Sequence, residues 1–235
     1  MGNTGDATAV PLSSDTGYFW FFDDQNVEMI LKVLDGTGTN GHHWVYYGAL
    51  TNVEYNVTIT DSVTGAAKRY FNPAARFASA GDITAFGPQG AHASAAVDVE
   101  ETVAATPPFV SGLASMAGAS GTCVPNDTRF CILDGRFAVQ ATWRDFAGHT
   151  GTAHATTLTD DTGYLWFFDE SNVEVVLKAV DGSALNSHYW IYYGALSNVE
   201  YTITVTDTVA GTSRQYRNLL GKFGSFGDIE AFPAP

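Results

Sequence analysis

The fold is decided by residues 15–65, which read DTGYFWFFDDQNVEMILKVLDGTGTNGHHWVYYGALTNVEYNVTITDSVTG. Residues 161–211 repeat this stretch as DTGYLWFFDESNVEVVLKAVDGSALNSHYWIYYGALSNVEYTITVTDTVAG, without a gap and at a constant offset of 146 positions. Of the 51 aligned positions, 32 are identical. A feature that both copies share therefore belongs to the repeated unit rather than to a single position.

Within each copy, short runs alternate with a period of two residues. VEYNVTIT (53–60) and VEMILKVL (27–34) place apolar side chains at every second position, which predicts strands. GYFWFF (17–22) and HHWVYYGAL (42–50) are too short for helices and rich in aromatic residues, which favour strands. DSVTG (61–65) predicts a hairpin turn. Because no segment has a sustained period of 3.6 residues, the sequence predicts an all-β fold.

The duplication divides the chain into a first unit (1–90), an Ala/Gly/Ser/Pro-rich linker (91–122) and a second unit (123–235). The second unit begins with GRFAVQATWRDF (135–146), an alternating run that has no counterpart in the first unit. About eight strands per unit predict two tandem β-sandwich units, either immunoglobulin-like or small-barrel, of which the first lacks its leading strand. Within the linker, residues 95–103 form a candidate capping strand through Val97 and Val99.

The composition excludes several classes of partner. The chain has 25 acidic and 11 basic residues, a net charge of -14 and a pI near 4.5, so it should repel nucleic acid and anionic membranes. No apolar run reaches the roughly 18 residues that would span a bilayer, which argues against membrane insertion. The first ten residues, MGNTGDATAV, lack the basic and apolar regions of a signal peptide, so we expect that any leader is absent from this sequence.

The cysteine content points to an oxidising compartment. The chain has two cysteines, Cys123 and Cys131, which flank VPNDTRF. This short, turn-rich spacing suits a disulfide bond, and disulfides persist in secreted and extracellular proteins. The alternative is a pair of free thiols in a cytosolic protein. A C-x7-C spacing is not a zinc signature.

Aromatic side chains in the repeated strand are candidates for ligand binding, because sugars stack on exposed flat rings and Tyr and Trp supply contact area at interfaces. Adjacent strand residues point to opposite faces, so the alternative is that these rings are part of the core. The candidates are His42, Trp44 and Tyr46 in the first copy and His188, Trp190 and Tyr192 in the second.

A weaker pattern suggests a calcium site, because carboxylate and amide oxygens lie close together after the first aromatic strand. The loop lacks the EF-hand spacing, and turns closed by Asp and Asn explain the same residues. Calcium is the only cofactor that the sequence suggests. The candidate ligands are Asp23, Asn26 and Glu28 in the first copy and Asp169, Asn172 and Glu174 in the second.

We find no sequence motif of an enzyme. G-x-S-x-G, H-E-x-x-H, Walker and G-x-G-x-x-G patterns are missing, and the acidic residues lie mostly at the expected strand ends, where Asp commonly forms turns. The sequence therefore favours a protein without catalytic activity.

Four motifs together resemble a repeat found in secreted bacterial proteins of unassigned function. They are C-x7-C, GRFAVQATWRDF-x-G-x-x-G, DTGYLWFFDESNVEVVLKAVDG and YWIYYGALSNVEYTITVTDT. The resemblance covers the second unit and most of the first, and it implies export and modular occurrence. It implies no activity, ligand or catalytic residue.

These observations rank three functions. The first is a non-catalytic extracellular repeat module for adhesion, assembly or attachment, whose partner is a protein bound by strand addition, including neighbouring copies. The second is a carbohydrate-binding module that uses exposed Trp and Tyr side chains. The third is a hydrolase or an inhibitor with an unrecognised site.

Overall fold

The structure, a computed structural model, describes residues 4–87, 109–112, 114–115 and 122–235. Strands dominate, and the helices among these residues are two single turns, so the prediction of an all-β, sandwich-like fold is confirmed. In the first unit, the elements are β1 (Thr8–Pro11), β2 (Thr16–Trp20), β3 (Met29–Gly36), α1 (Thr37–Asn40), β4 (His42–Ala49), β5 (Tyr55–Thr60), β6 (Ala67–Asn72) and β7 (Ser79–Phe86). From residue 109 onwards they are β8 (Phe109–Val110), β9 (Ala114–Ser115), β10 (Phe130–Ile132), β11 (Phe137–Arg144), β12 (Thr150–Thr152), β13 (His154–Thr157), β14 (Thr162–Trp166), β15 (Val175–Asp181), α2 (Ser183–Asn186), β16 (His188–Ala195), β17 (Glu200–Asp207), β18 (Thr212–Asn218) and β19 (Ser225–Pro233).

Each unit has one five-stranded antiparallel sheet with the same topology. The order is β1-β2-β3-β4-β7 in the first unit and β13-β14-β15-β16-β19 in the second. The register agrees as well, since Lys32 pairs with Tyr46 in the first sheet and Lys178 pairs with Tyr192 in the second. The opposing sheets differ. In the part of the chain that the structure describes, the first unit has the β5-β6 hairpin alone, whereas the second has β10-β11-β17-β18-β8, with β12 on β11 and β9 on β18.

The central strand β3 is apolar on both faces because each face meets a different layer. Met29 belongs to the core that the first unit forms with β5 and β6, and Ile30 belongs to a cluster that both units share. Successive side chains of a strand point to opposite faces, and both faces of β3 are buried. This double burial explains why the apolar run is nearly continuous. The same holds for β15 in the second unit, where Val175 faces its own core and Val176 faces the shared cluster.

The shared cluster joins the two five-stranded sheets face to face. It takes the same three positions from each copy, and all six side chains are at most 2% exposed. The two copies therefore contribute equally to one apolar layer, as in an isologous dimer interface. The cluster consists of Val27, Ile30 and Leu50 from the first unit and Val173, Val176 and Leu196 from the second.

The second unit begins with a hairpin of β10 and β11, and its leading strand was predicted from sequence. β11 pairs with β17 along eight residues, from Phe137 opposite Asp207 to Arg144 opposite Glu200. Cys123 and Cys131 form a disulfide with a Cα–Cα separation of 5.8 Å, which ties the segment before β10 to that strand. Part of the expected linker also forms structure, because β8 and β9 pair with β18. The predicted capping residues Val97 and Val99 lie outside the described residues.

None of the helices in the described ranges is long and apolar enough to cross a membrane.

Candidate functional site

The contact between the two units is built from reciprocal pairs of equivalent residues. Gly48 on β4 and Gly194 on β16 meet backbone to backbone, so a Cβ atom on Gly48 would lie 2.9 Å from the carbonyl carbon of Gly194. The equivalent serines Ser79 and Ser225 also bond across the contact, although to acceptors at different positions: Ser79 Oγ donates to Gly224 O at 3.3 Å, and Ser225 Oγ donates to Ala49 O at 2.6 Å. The repeated sequence thus forms an internal pseudo-twofold interface.

A lysine from each unit enters a cage in the other unit. Lys32 Nζ donates to Asn172 Oδ1 at 2.5 Å and to Val173 O at 2.8 Å. In the same way, Lys178 Nζ donates to Asn26 Oδ1 at 2.5 Å and to Val27 O at 2.9 Å. Both lysines are at most 3% exposed, so the ammonium groups are satisfied by polar atoms rather than by water.

Carboxylates and aromatic rings complete the two cages. Glu28 Oε1 lies 3.9 Å from Lys178 Nζ, and Asn26 Nδ2 donates to the same carboxylate oxygen. In the second unit, Asn172 Nδ2 donates to Glu174 Oε1 at 3.1 Å. Each ammonium also faces a tyrosine of its own sheet, with Lys32 Nζ 5.3 Å from the Tyr46 ring centre and Lys178 Nζ 5.6 Å from that of Tyr192.

Burial changes the proton affinities of this group. It lowers the pKa of Lys32 to about 8, although the charges of Glu174 and Asp15 oppose the shift. It also raises the pKa of Glu174 to about 7, opposed by Lys32 and by the Phe167 N–H. The pKa of Lys178 is lowered for the same reason, with Glu28 and Asp161 opposing. Desolvation thus outweighs the favourable charges in each case.

The residues predicted to bind calcium divide into two roles. Asp23 and Asp169 accept hydrogen bonds within their own turns, from Gln25 N and Ser171 N at 2.9 Å. Asn26, Glu28, Asn172 and Glu174 instead surround the lysines of the opposite unit. The oxygens that we expected to meet a metal ion therefore face an ammonium ion. Among the described residues, no group of three or more His, Cys, Asp or Glu side chains is placed to hold a metal ion.

The predicted aromatic candidates lie on one face of β4 and β16, and most have structural partners. Trp44 Nε1 donates to Asn40 Oδ1 at 2.9 Å and Trp190 Nε1 to Asn186 Oδ1 at 2.8 Å, so each indole is fixed to a helical turn. His42 and His188 contact the carbonyl oxygens of the same asparagines through Nδ1. Tyr46 and Tyr192 lie beneath phenylalanines of the opposite unit, Phe223 at 5.9 Å and Phe77 at 5.6 Å.

A cleft of about 470 Å³ between the units brings several of these candidates together. Trp190, Tyr192 and Lys178 line it from the second unit. The first unit contributes the 69% exposed side chain of Phe22 and the polar residues that follow it. The cleft therefore combines aromatic surface with hydrogen-bonding groups, the combination expected of a sugar site. Those polar residues include Asp23, Gln25, Asn26 and Glu28.

A second candidate site of the first unit lies at β5. Within the described residues, β5 pairs only with β6, whereas its equivalent β17 pairs with β18 on one side and β11 on the other. Among the described residues, the first unit thus has an unpaired sheet edge where the second unit has the leading strand. An edge of this kind is a template for another strand.

The apolar side chains next to this edge are less buried than their equivalents in the second unit. Leu165, Leu177 and Val205 are 0% exposed, because β10 and β11 complete the second core. Their equivalents in the first unit are partly exposed and border an incomplete core. We call Phe19, Phe21, Leu31, Val33 and Ile59, together with the outer edge of β5, the acceptor groove.

The close approach of the two units gives a testable prediction. Gly48→Ala should lower the free energy of unfolding by about 1–3 kcal/mol, because the added methyl group would force the Gly194 backbone away. Gly38→Ala is the matched control, since no atom lies within 4 Å of a Cβ at that position. Urea denaturation of both variants provides the measurement. Equal stability of the two would contradict the described contact.

The fold and the interface define an all-β protein in which two equivalent sheets pack through reciprocal buried lysines, and in which one sheet edge of the first unit is unpaired within the described ranges. No known protein family matches the chain, and no significant match was found among curated proteins or solved structures. The function therefore has to be argued from the geometry alone.

Sequence reasoning missed the residues that hold the units together. Lys32 and Lys178 occur at the same position of both copies, in strands that are otherwise apolar on both faces. A charged residue in such a strand is a signal for a buried partner. The identity of that partner was hidden, because the contacts join residues 140 or more positions apart.

Proposed function

We propose that the chain is a non-catalytic extracellular module that serves assembly or attachment by accepting a β-strand in the acceptor groove. The observation that carries this proposal is the difference between the two units at β5 and β17. The equivalent sequence that is covered by β11 in the second unit has an edge that no described residue pairs with in the first unit, together with partly exposed apolar side chains. Main-chain hydrogen bonds would supply affinity there, and the apolar groove would supply specificity.

The disulfide supports the extracellular part of the proposal. Cys123 and Cys131 are bonded, and such a bond is stable in an oxidising compartment. In the described part of the chain, the lysine cages and the turns of Asp23 and Asp169 do not form a carboxylate pair set up for acid–base chemistry, because the cage carboxylates lie beside ammonium or amide groups and the two aspartates accept hydrogen bonds within their own turns. This arrangement favours binding over catalysis.

Hydrogen-exchange mass spectrometry of the full chain tests strand acceptance. A pool of eight-residue peptides that alternate apolar and polar residues should slow exchange at residues 55–60, and a pool with scrambled order should not. Ile59→Lys should abolish this protection, because it places a charge within the groove. Val63→Lys is the matched control, since Val63 is 79% exposed in the neighbouring turn. Unchanged exchange at residues 55–60 with every pool would contradict the proposal.

The cleft between the units supports a second candidate function, glycan binding. Trp190 and Phe22 provide rings on its two sides, and Gln25 and Asn52 provide polar groups. A glycan array distinguishes the two functions. Glycan binding that is lost in Trp190→Ala but retained in Ile59→Lys would favour the cleft over the acceptor groove.

A further inference from the structure

We infer that the acceptor groove binds one particular ligand, a copy of the leading hairpin of this repeat that a partner polypeptide supplies. The sequence of that ligand is the one found at residues 122–146 of this chain. The inference rests on the proposed strand-acceptor function and goes further, because it names the strand, its direction and its register.

The second unit shows how the hairpin would lie. β11 runs antiparallel to β17, with Val139 opposite Val205, Ala141 opposite Ile203 and Trp143 opposite Tyr201. The positions equivalent to those three β17 residues are Ile59, Val57 and Tyr55 in the first unit. All three keep an apolar side chain on the core side of β5, so the same register would bury the same face.

A specific socket for the hairpin is also preserved. Gly163 on β14 makes room for the ring of Phe130, since a Cβ atom there would lie 2.5 Å from that ring. The equivalent residue in the first unit is Gly17 on β2, and the three described atoms nearest to a Cβ there are backbone atoms of Val10 and Pro11, at 3.1–3.8 Å. The first unit thus keeps the glycine of this socket, and no aromatic ring is among its three nearest neighbours in the described part of the chain.

The acidic partners of the hairpin are preserved as well. Arg136 Nη2 lies 2.8 Å from Asp207 Oδ2, and Arg144 Nη2 lies 2.7 Å from Glu200 Oε2. The equivalent residues of the first unit are Asp61 and Glu54, which keep both negative charges at the two ends of β5. Charge complementarity therefore favours an incoming strand with Arg at both ends and opposes an acidic one.

This complementarity also identifies the source of the strand. A second copy of the whole chain would gain little by donating its hairpin, because the donation would empty the equivalent groove in its own second unit. Residues 95–103 of this chain, AAVDVEETV, have no aromatic side chain for the socket and no basic residue for Asp61 and Glu54. Neither of these two sources fits, and the inferred occupant is a leading hairpin of this repeat, on a partner polypeptide, that is not engaged in a core of its own.

The test uses the full chain and a synthetic peptide of residues 122–146 with the Cys123–Cys131 disulfide closed. We expect one peptide to bind per chain and to protect residues 55–60 in hydrogen-exchange mass spectrometry. A peptide with the same disulfide and a scrambled 132–146 segment is the control, and it should bind at least about tenfold more weakly, a difference of about 1.4 kcal/mol. The alternating peptides of the previous test provide the second comparison.

A double-mutant cycle locates the aromatic ring. Phe130→Ala in the peptide should weaken binding by about 10- to 100-fold, the effect of losing the burial of one large apolar side chain. Gly17→Ala in the protein should cause a similar loss, because its methyl group would enter the socket. Combining both should weaken binding little further than either alone, since the ring and the methyl group compete for one space.

Three outcomes would overturn the inference. If simple alternating peptides bind as tightly as the hairpin, the strand-acceptor function stands but the groove does not select this ligand. If the hairpin binds only after Val97 and Val99 are both replaced by Asp, the groove belongs to the chain's own segment. If the chain alone forms a dimer that protects residues 55–60, the occupant is a second copy. Failure of every peptide would overturn the proposed function itself.

Discussion

Lys32→Met should lower the free energy of unfolding by about 3–5 kcal/mol, the usual cost of removing one partner from a buried charged group. The ammonium of Lys32 donates to Asn172 and Val173 in the opposite unit and supports the charge of Glu174. Without it, these acceptors would remain buried and unsatisfied at the centre of the interface. Urea denaturation at pH 7.5 measures the loss. Lys222→Met, on an exposed lysine, is the control and should change stability by less than about 0.5 kcal/mol.

The double variant Lys32→Met with Glu174→Gln shows whether the loss comes from the uncompensated charge. Removing both charges should recover at least about 1 kcal/mol relative to the sum of the single variants, because the charges of Lys32 and Glu174 act on each other. Strict additivity would contradict the assigned pairing. The equivalent pair Lys178 and Glu28 offers an internal repeat of the cycle at the other cage.

The pH dependence of stability follows from the same two groups. The pKa of Glu174 is raised to about 7, so its stabilising contribution is complete below its unfolded value near pH 4.5 and is lost as the pH rises through 7. The pKa of Lys32 is lowered to about 8, so its contribution is complete above pH 10.5 and is lost as the pH falls through 8. The buried pair therefore lowers the free energy of unfolding most at pH 7–8, where both shifts act fully. Relative to the parent, the neutral double variant should be most favoured there and less favoured at pH 5.

The strands of this protein could be predicted from its sequence because their signal is local. Period-two alternation indicated β3, β5 and β11, and the DSVTG turn indicated the β5-β6 hairpin. The comparison of the two copies at one offset also singled out residues 137–144, which form β11 in the second unit. Such features can be predicted from the order of neighbouring residues and from the alternation of side chains along a pleated strand.

The function of the turn after β2 could not be predicted in the same way. Asn26 and Glu28 supply oxygens of the type that calcium prefers, and sequence alone offers no means to tell an ion from an ammonium group. Which cation enters depends on the packing of β15 against β3, since that packing delivers Lys178. Likewise, alternation along β4 predicted that neighbouring aromatic residues point to opposite faces, yet sequence alone could not show that Tyr46 packs against Phe223 and the shared cluster of the two units.

Phe137→Ala should destabilise both units together, although Phe137 belongs to the second. Its ring is 0% exposed and lies 5.3 Å from the Tyr189 ring and 5.1 Å from the Phe232 ring, so its loss should cost about 3–5 kcal/mol. Because the first unit has an incomplete core of its own, it depends on the shared cluster and on the lysine cages. Unfolding of the second unit would remove its three side chains from the shared cluster and its residues from both lysine cages.

Hydrogen exchange in low urea measures this coupling for each strand. In Phe137→Ala, we expect protection to fall at β3 of the first unit by about the same factor as at β15 of the second, and thermal unfolding to remain a single transition at a lower temperature. Val209→Ala, at a 63% exposed turn position of the second unit, should leave both strands unchanged. If β3 kept its parental protection while β15 lost its own, the two units would be independent domains, and the reciprocal lysines would not link their stabilities.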